Sequence, residues 1–362
     1  MIAVVKVGTS SITDDQGAIA AEAVQRLCDQ VALGWGSGHR VVVVTSGAIA
    51  AGLPALDLAV ARPKDAVTLQ AASAVGQSRL MGVYDRALDR HGLIGGQVLL
   101  APLDFMNRQQ YLHARNTLGR LLDLGVVPVV NENDAIADDE IRFGDNDRLA
   151  ALVAHLLGAD LLALLTDTPG VLTADPRLDG SASLIEEIVE IDQQLEARAG
   201  GTGSVRGSGG MASKLAAAKI AAWSGVRVVI ADAQRDDVVV DALAGRAVGT
   251  VIHPRERRLP SRKLWIAFAV GSDGRIIVDE GARRALLESG RSLLAAGVTG
   301  VEGDFGPERA VEIAGPDGVV FAKGLTRIGA PDLATHAGRR SHELPDDLPD
   351  EVIHRDDLVV LP

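Results

Sequence analysis

Through about residue 230 the chain alternates short β-branched runs with longer segments of helical periodicity. Apolar runs at 2–7, 41–45, 94–100, 126–130, 161–165 and 226–230 have the length and composition of strands. Val41-Val42-Val43-Val44 and Leu161-Leu162-Ala163-Leu164-Leu165 are apolar at every position, as expected of strands covered on both faces. Between these runs, apolar residues recur at helical spacing over about 18–34, 65–90, 108–124, 146–158 and 211–224. Strand–helix–strand repetition predicts an α/β fold built on a mostly parallel, helix-flanked sheet.

The texture changes at 253–263, His-Pro-Arg-Glu-Arg-Arg-Leu-Pro-Ser-Arg-Lys, a charged stretch with two prolines that reads as a linker. Short strands follow at Arg275 to Val278, Gly297 to Val301, Ala310 to Ile313 and Val319 to Ala322, with a helix near 281–289. They predict a second, small, mostly-β domain. No internal repeat is visible, and the glycine-rich stretch at 200–210 is the one low-complexity segment.

Composition narrows the function. The 362 residues are 47% hydrophobic and 23% charged, ordinary for a globular protein. Aromatics are only 3%, so the core is aliphatic and platforms for stacking bases are scarce. A net charge of -12 argues against a general nucleic-acid or membrane-surface binder. Cys28 is the only cysteine, which excludes an intrachain disulfide and suggests a reducing, cytoplasmic setting. It falls in register with Val24, Leu27 and Val31, as a small core residue would. The eight histidines show no zinc-ligand spacing, no apolar run reaches the ~18 residues of a membrane span, and the N-terminal run carries Lys6 and no cleavage site.

Candidate chemistry gathers at the ends of the expected strands. The fourth strand runs into Asn131, Glu132, Asn133 and Asp134, and a second polar cluster, Asp145, Asn146 and Asp147, stands behind Gly144. Such side chains are costly to bring together without a polar ligand, a cation or a hydrogen-bond network. Ligands in open α/β sheets bind at the carboxyl ends of strands, so the stretch suggests a site for a small, amine-bearing substrate. The plain alternative is a solvated acidic loop followed by a helix cap.

No Walker A sequence occurs, yet three glycine-rich elements sit at strand–helix junctions, where backbone N–H groups can receive phosphate. These are Lys6-Val7-Gly8-Thr9-Ser10, Thr45-Ser46-Gly47 continuing to Gly52, and Gly207-Ser208-Gly209-Gly210-Met211-Ala212-Ser213-Lys214. Lys6 within an apolar strand must pair, serve or snorkel from the strand end. Lys214, one turn into a helix, is either an exposed lysine or a second cation for the same phosphoryl group. Thr166-Asp167-Thr168-Pro169-Gly170 ends the fifth strand and suits contact with a nucleotide, or is a plain turn.

In their order along the chain, V-V-K-V-G-T-S, V-V-V-V-T-S-G-A-I-A-A-G, A-V-G-Q-S-R-L, V-V-P-V-V-N-E-N-D-A, G-D-N-D, L-L-T-D-T-P-G-V-L-T-A-D-P-R and G-S-G-G-M-A-S-K closely resemble the amino acid kinase family, in particular its members that act on L-glutamate. The tail V-D-E-G-A-R-R-A-L-L-E-S-G-R-S-L-L-A-A-G-V resembles a PUA domain. The resemblance implies an amino acid kinase domain over 1–258, binding ATP and glutamate, and a PUA-like domain over 263–362. Its implied reaction is ATP-dependent phosphorylation of the γ-carboxylate of L-glutamate to L-glutamyl 5-phosphate, the first step of proline biosynthesis, with feedback inhibition by proline. ATP and Mg2+ are implied, with no metal held by the protein itself. A homo-oligomer (dimer or tetramer) and hand-off of the product to glutamyl phosphate reductase are implied too, with nucleic acid and membrane not expected as partners.

Carried over by position, the resemblance makes Lys6, Lys214 and Asp147 catalytic, Asp147 orienting the two lysines. Ser46, Gly47, Asn131, Asp134 and Asn146 would bind glutamate, with Asp134 taking the ammonium. Lys6, Gly8, Thr166, Asp167, Ser208, Gly209, Gly210, Met211, Ala212, Ser213 and Lys214 would bind ATP. The chain departs from the family pattern at Ser208 and Ser213, where threonines are usual, and at Arg142, where a lysine is common; hydroxyls and charge are kept. Other activities within the family, on acetylglutamate, aspartate, carbamate or UMP, are disfavoured by N-E-N-D-A and the PUA-like tail. An RNA-binding role for the tail is disfavoured by its charge, 11 Lys+Arg against 17 Asp+Glu over 263–362.

Overall fold

The computed structural model describes all residues except 15, 59–62, 102–103, 106, 137–145, 178, 193–194, 197–209, 256–258, 346 and 362. The chain divides into two compact units, Met1–Arg258 and Leu259–Pro362.

The first unit is built on an eight-stranded sheet of order β3-β4-β2-β1-β5-β7-β8-β6. Its strands are β1 (Ile2–Val7), β2 (Arg40–Val44), β3 (Ile94–Leu100), β4 (Val126–Glu132), β5 (Leu161–Thr166), β6 (Glu187–Ile188), β7 (Arg227–Asp232) and β8 (Thr250–Ile252). From β3 across to β7 every neighbouring pair is parallel; β8 then runs antiparallel to β7, and β6 parallel to β8. Each continuously apolar run lies in the sheet interior, where both faces are covered. The antiparallel corner of β6 and β8 was not expected, because strands of two and three residues carry no periodicity to read.

Among the described residues the helices of this unit are α1 (Thr9–Ile12), α2 (Ala21–Gly36), α3 (Ala48–Gly52), α4 (Ala66–Asp89), α5 (Arg108–Asp123), α6 (Asn146–Leu157), α7 (Met211–Trp223) and α8 (Val238–Leu243). Their starts are written locally. The Asp65 carboxylate accepts from Thr68 N at 2.8 Å ahead of α4, and Asn107 Oδ1 accepts from Gln109 N and Gln110 N ahead of α5. No helix among the described residues is long and apolar enough to cross a membrane.

Alternation along the strands decides which helices each side chain meets. Ala3, Val5 and Val7 share a core cluster with Val24, Leu27, Cys28 and Val31 of α2 and with Leu80 and Tyr84 of α4. Burial pushes the Cys28 thiol up to about 12, as befits a core residue rather than a nucleophile. The intervening residues of β1, Val4 and Lys6, therefore face the opposite side of the sheet, where α6 packs on β1 and on α7. This places Lys6 opposite the two helices that carry Asp147 and Lys214.

One close approach shapes the acceptor side of the unit. A Cβ on Gly52 would lie 1.9 Å from Ala72 O, and one on Gly76 would lie 1.8 Å from Ala48 O. The backbones of α3 and α4 are thus in contact, which only glycine at both positions permits.

The second unit holds a five-stranded sheet of order β11-β9-β12-β13-β15 and a two-stranded pair of β10 and β14. These strands are β9 (Gly274–Val278), β10 (Leu293–Leu294), β11 (Val298–Gly303), β12 (Ala310–Ala314), β13 (Val320–Leu325), β14 (Glu351–Ile353) and β15 (Leu358–Val360). Ser261–Leu264 forms α9; α10 (Glu280–Ser289) and α11 (Ala330–His336) contribute to the unit's own core with Ile276, Val278, Ile313 and Ile353. The Asp279 carboxylate caps α10 by accepting from Ala282 N at 2.7 Å.

Candidate active site

β1 has β2 on one side and β5 on the other, so connections leave it in opposite directions and open a crevice at its carboxyl end. The parallel registers bring Lys6 of β1 level with Val44 of β2 and Leu164 of β5, and Leu100 of β3 level with Glu132 of β4. The polar strand ends therefore arrive at one edge of the sheet. Thr45 and Ser46 follow β2, Asn131 and Glu132 end β4, and Thr166 and Asp167 end β5.

At the centre lies Asp147, in the first turn of α6 and wholly buried, at 0% exposure. One carboxylate oxygen pairs with the Lys6 ammonium and the other accepts from Lys214 Nζ at 3.0 Å. Ser213 Oγ donates to the same oxygen as Lys214, at 3.2 Å, and to Gly210 O at 3.0 Å. Both lysines are buried, at 3% and 6% exposure. Burial works to raise the Asp147 pKa, but Lys6 and Lys214 outweigh it and hold the carboxyl below its ordinary value. One buried anion thus holds two buried cations. A Cβ on Gly8 would stand 3.7 Å from Lys6 Nζ, so the backbone there lies close beside the cation.

A second network is built next to the first on α6. Asn146 Nδ2 donates to Ser46 Oγ at 2.9 Å, and its Oδ1 accepts from Glu132 N at 3.2 Å. Asn131 Oδ1 also accepts from Glu132 N, at 2.9 Å. The Asn131 side chain is 2% exposed, and its Nδ2 is buried without a hydrogen-bond partner among the described residues. Such a donor fits a ligand carboxylate. Gly47 adopts φ +98° between Ser46 and α3, a left-handed turn that presents Ser46 to Asn146. Asp134 accepts from Ser73 Oγ at 2.9 Å.

Of the remaining expected residues, Thr166 and Asp167 fall at the same edge of the sheet. Thr166 Oγ1 donates to the exposed Asp167 carboxylate at 3.2 Å, and Thr166 O accepts from Ala233 N at 2.8 Å, fixing the end of β5. Gly210 caps α7, and Met211, Ala212, Ser213 and Lys214 form its first turn. Ser208 and Gly209, with Arg142, Gly144 and Asp145, lie outside the described residues. Asp175-Pro176-Arg177 is an exposed turn in which the Arg177 guanidinium grips Asp175 with two hydrogen bonds.

Reading the sequence did not single out Ser73, Gln77 or Tyr84. Gln77 Nε2 donates to Glu132 O at 3.5 Å. Tyr84 OH meets Thr45 Oγ1 at 2.8 Å, and Thr45 Oγ1 donates to Ser46 O at 3.0 Å. All three project from α4, some forty to fifty residues ahead of β4 in sequence. The available signal was the A-V-G-Q segment, whose glycine and glutamine stand one turn past Ser73.

Two buried lysines on one carboxylate, at the carboxyl ends of parallel strands, equip an enzyme to handle an anionic group in transfer. A model of the amino acid kinase family matches residues 1–232, and a PUA domain model matches residues 274–348. The glutamate 5-kinase of Trichlorobacter lovleyi is 44% identical over 365 residues, spanning 99% of this chain and 96% of that protein. That of Nocardia farcinica is 46% identical over 356 residues, spanning 98% and 96%. Among solved structures, a carbamate kinase from Giardia lamblia bound to AMP-PNP shares the fold, with a TM-score of 0.52 at 18% identity, over 70% of this chain and 98% of its own. The chain belongs to the amino acid kinase family and is a kinase, with a PUA domain C-terminal to its kinase fold.

Proposed function

We propose that this kinase transfers the γ-phosphoryl group of ATP to the γ-carboxylate of L-glutamate, forming L-glutamyl 5-phosphate and ADP. The observation that carries the reading is the Lys6–Asp147–Lys214 ion network lying beside the Ser46–Asn146–Glu132 network on one helix. A site for phosphoryl charge and a site for a small polar acceptor thus share the first turn of α6. The glutamate 5-kinases similar to it along nearly its whole length support the same substrate.

In this reaction an acceptor oxygen forms the new P–O bond as the bond to the ADP oxygen breaks. The acceptor carboxylate is already ionised at neutral pH, so no general base is needed. Lys6 and Lys214 would stabilise charge on the transferring group, and Asp147 would hold both ammonium groups in place before the nucleotide arrives. Backbone N–H groups at Gly8 and Gly47 would add donors. Thr166, Asp167 and residues 208–214 would hold the nucleotide. The Asn131 amide would donate to a glutamate carboxylate, and Ser46, Gly47 and Asn146 would line the same pocket. Asp134 would take the substrate ammonium. Both Asp147 oxygens are committed to lysines, so Mg2+ accompanying ATP would be carried on the phosphates, as a hard cation prefers.

The product is an acyl phosphate, which fits the first step of proline biosynthesis, inhibition by proline, a cytoplasmic homo-oligomer and hand-off to glutamyl phosphate reductase. Incubation with ATP, Mg2+ and each of a panel of acceptors in hydroxylamine tests the reading. Hydroxamate should form with L-glutamate and fall when proline is added. Hydroxamate from aspartate or acetylglutamate in preference to glutamate would replace it.

Asp134→Ala should raise the glutamate KM roughly ten- to a hundred-fold, the worth of about 1.5–3 kcal/mol for a hydrogen bond to a charged group. The ATP KM should stay within two-fold. A rise confined to the ATP KM would reverse the assignment of the two halves of the site.

Each residue given a chemical role lies in the first unit, Met1–Arg258. A chain ending at about Leu259 should therefore make L-glutamyl 5-phosphate with kcat within several-fold, while oligomer size or proline sensitivity changes. A soluble, monodisperse truncation without activity would assign part of the active site to the second unit.

A further inference from the structure

The chain leaving β2 enters the acceptor site through the Ser46–Gly47 peptide, and two hydroxyls outside the proposed chemistry hold that peptide from behind. Tyr84 of α4 and Thr45 are buried, at 0% and 1% exposure. Tyr84 OH lies 2.8 Å from Thr45 Oγ1, and Thr45 Oγ1 lies 3.0 Å from Ser46 O. A carbonyl oxygen can only accept, so the single Thr45 hydroxyl proton goes to Ser46 O and the Tyr84 hydroxyl must donate to Thr45. Burial raises the Tyr84 pKa well above its ordinary value, so the phenol keeps the proton that this chain of donors requires. The Thr45 backbone is fixed as well, its N–H donating to Val130 O of β4 at 2.9 Å. From the other side of the sheet, Asn146 Nδ2 of α6 donates to Ser46 Oγ at 2.9 Å. Ser46 is thus held by its carbonyl from the α4 side and by its hydroxyl from the α6 side.

A trans peptide sets its N–H opposite its C=O, and no cis peptide bond occurs among the described residues. With Ser46 O drawn toward Thr45 and Tyr84, the Gly47 N–H therefore points away from α4. Gly47 takes φ +98°. Glycine has the widest choice of backbone conformation, so nothing in Gly47 itself keeps that N–H aimed. We propose that Thr45, its proton set by Tyr84, is a positioning residue: by anchoring Ser46 O it aims the Gly47 N–H at the phosphoryl group in transfer. A preorganised backbone donor counts for most where charge develops in the transition state. The cost of losing the anchor therefore falls on kcat rather than on the binding of ATP or acceptor.

The inference rests on the phosphoryl-transfer reading above and needs an acceptor, not glutamate in particular. Kinetics are measured with whichever acceptor of the panel gives hydroxamate in the parent, so a different acceptor would replace the glutamate reading and leave this test intact. Thr45→Val should lower kcat roughly ten- to a hundred-fold, as small misplacements at a reacting centre do, with both KM values within about three-fold. Thr45→Ser, which keeps the hydroxyl, should hold kcat close to the parent value. Thermal unfolding separates positioning from packing. Thr45→Val leaves the buried Tyr84 hydroxyl without its acceptor, so Tm should fall. Adding Tyr84→Phe removes that stranded group, so the double variant should regain much of the Tm and none of the kcat. The double variant also tests the anchor if Thr45→Val alone folds poorly. Recovery of kcat together with Tm in the double variant, or near-parent kcat in folded Thr45→Val, would make the pair a packing feature and overturn the inference.

Discussion

Lys214→Ala should lower kcat roughly 10²–10³-fold, the usual loss when one preorganised donor at a developing anionic centre is removed. The glutamate KM should change little by comparison. Lys214 is 6% exposed and donates to Asp147 Oδ2 at 3.0 Å, so its ammonium is oriented before any substrate binds. No reorganisation is then needed as charge builds on the transferring group. In the variant, Asp147 keeps Lys6 and the Ser213 hydroxyl as partners, so the fold should survive. Steady-state kinetics in parallel with thermal unfolding checks both halves of the expectation. Near-normal turnover in a folded variant would remove Lys214 from the chemistry. Lys6→Ala should lose turnover similarly, with a larger penalty to folding because Lys6 lies in the central strand.

The parallel sheet was legible because a strand buried on both faces must be apolar along its buried length, as Val41 to Val44 of β2 and Leu161 to Leu165 of β5 are. The site was half legible. A lysine within an apolar strand is costly enough in isolation that Lys6 stood out from a single position, whereas Asp134 and Asp147 drew notice only as members of polar clusters that a solvated loop and a helix cap would also explain. That Lys6 and Lys214 meet on Asp147 was accessible only through resemblance, since 67 residues separate Asp147 from Lys214 and no local spacing records the contact. Ser73 was silent for a different reason. A serine within a helix is commonplace, and its meaning comes from the glycine contact of α3 with α4, which brings it to a residue 61 positions away. The short strands β6 and β8 were missed because so few residues carry no period. Thr250 holds that corner together, donating to Ile185 O at 2.6 Å and accepting from Val171 N at 2.8 Å.

Asp147→Ala should be the most damaging single change in the site, for stability as well as for turnover. Breaking a buried ion pair from one side typically costs about 3–5 kcal/mol, because the surviving charge is left without a partner. Here two ammonium groups would be stranded, at 3% and 6% exposure, and their mutual repulsion would add to the desolvation they already bear. The relief open to them is loss of a proton or movement toward water, and either removes the cations from the phosphoryl site. The acid dependence follows with a definite sign. Since the folded-state pKa of Asp147 lies below the unfolded value near 3.8, its contribution is fully present above that value and fades as pH falls through the folded one. Urea unfolding at pH 7 should therefore show parent and variant far apart, and the gap should narrow on going well below pH 4. A gap that stays constant down to low pH would mean that the loss in Asp147→Ala comes from the void left in the first turn of α6 and not from the two lysines.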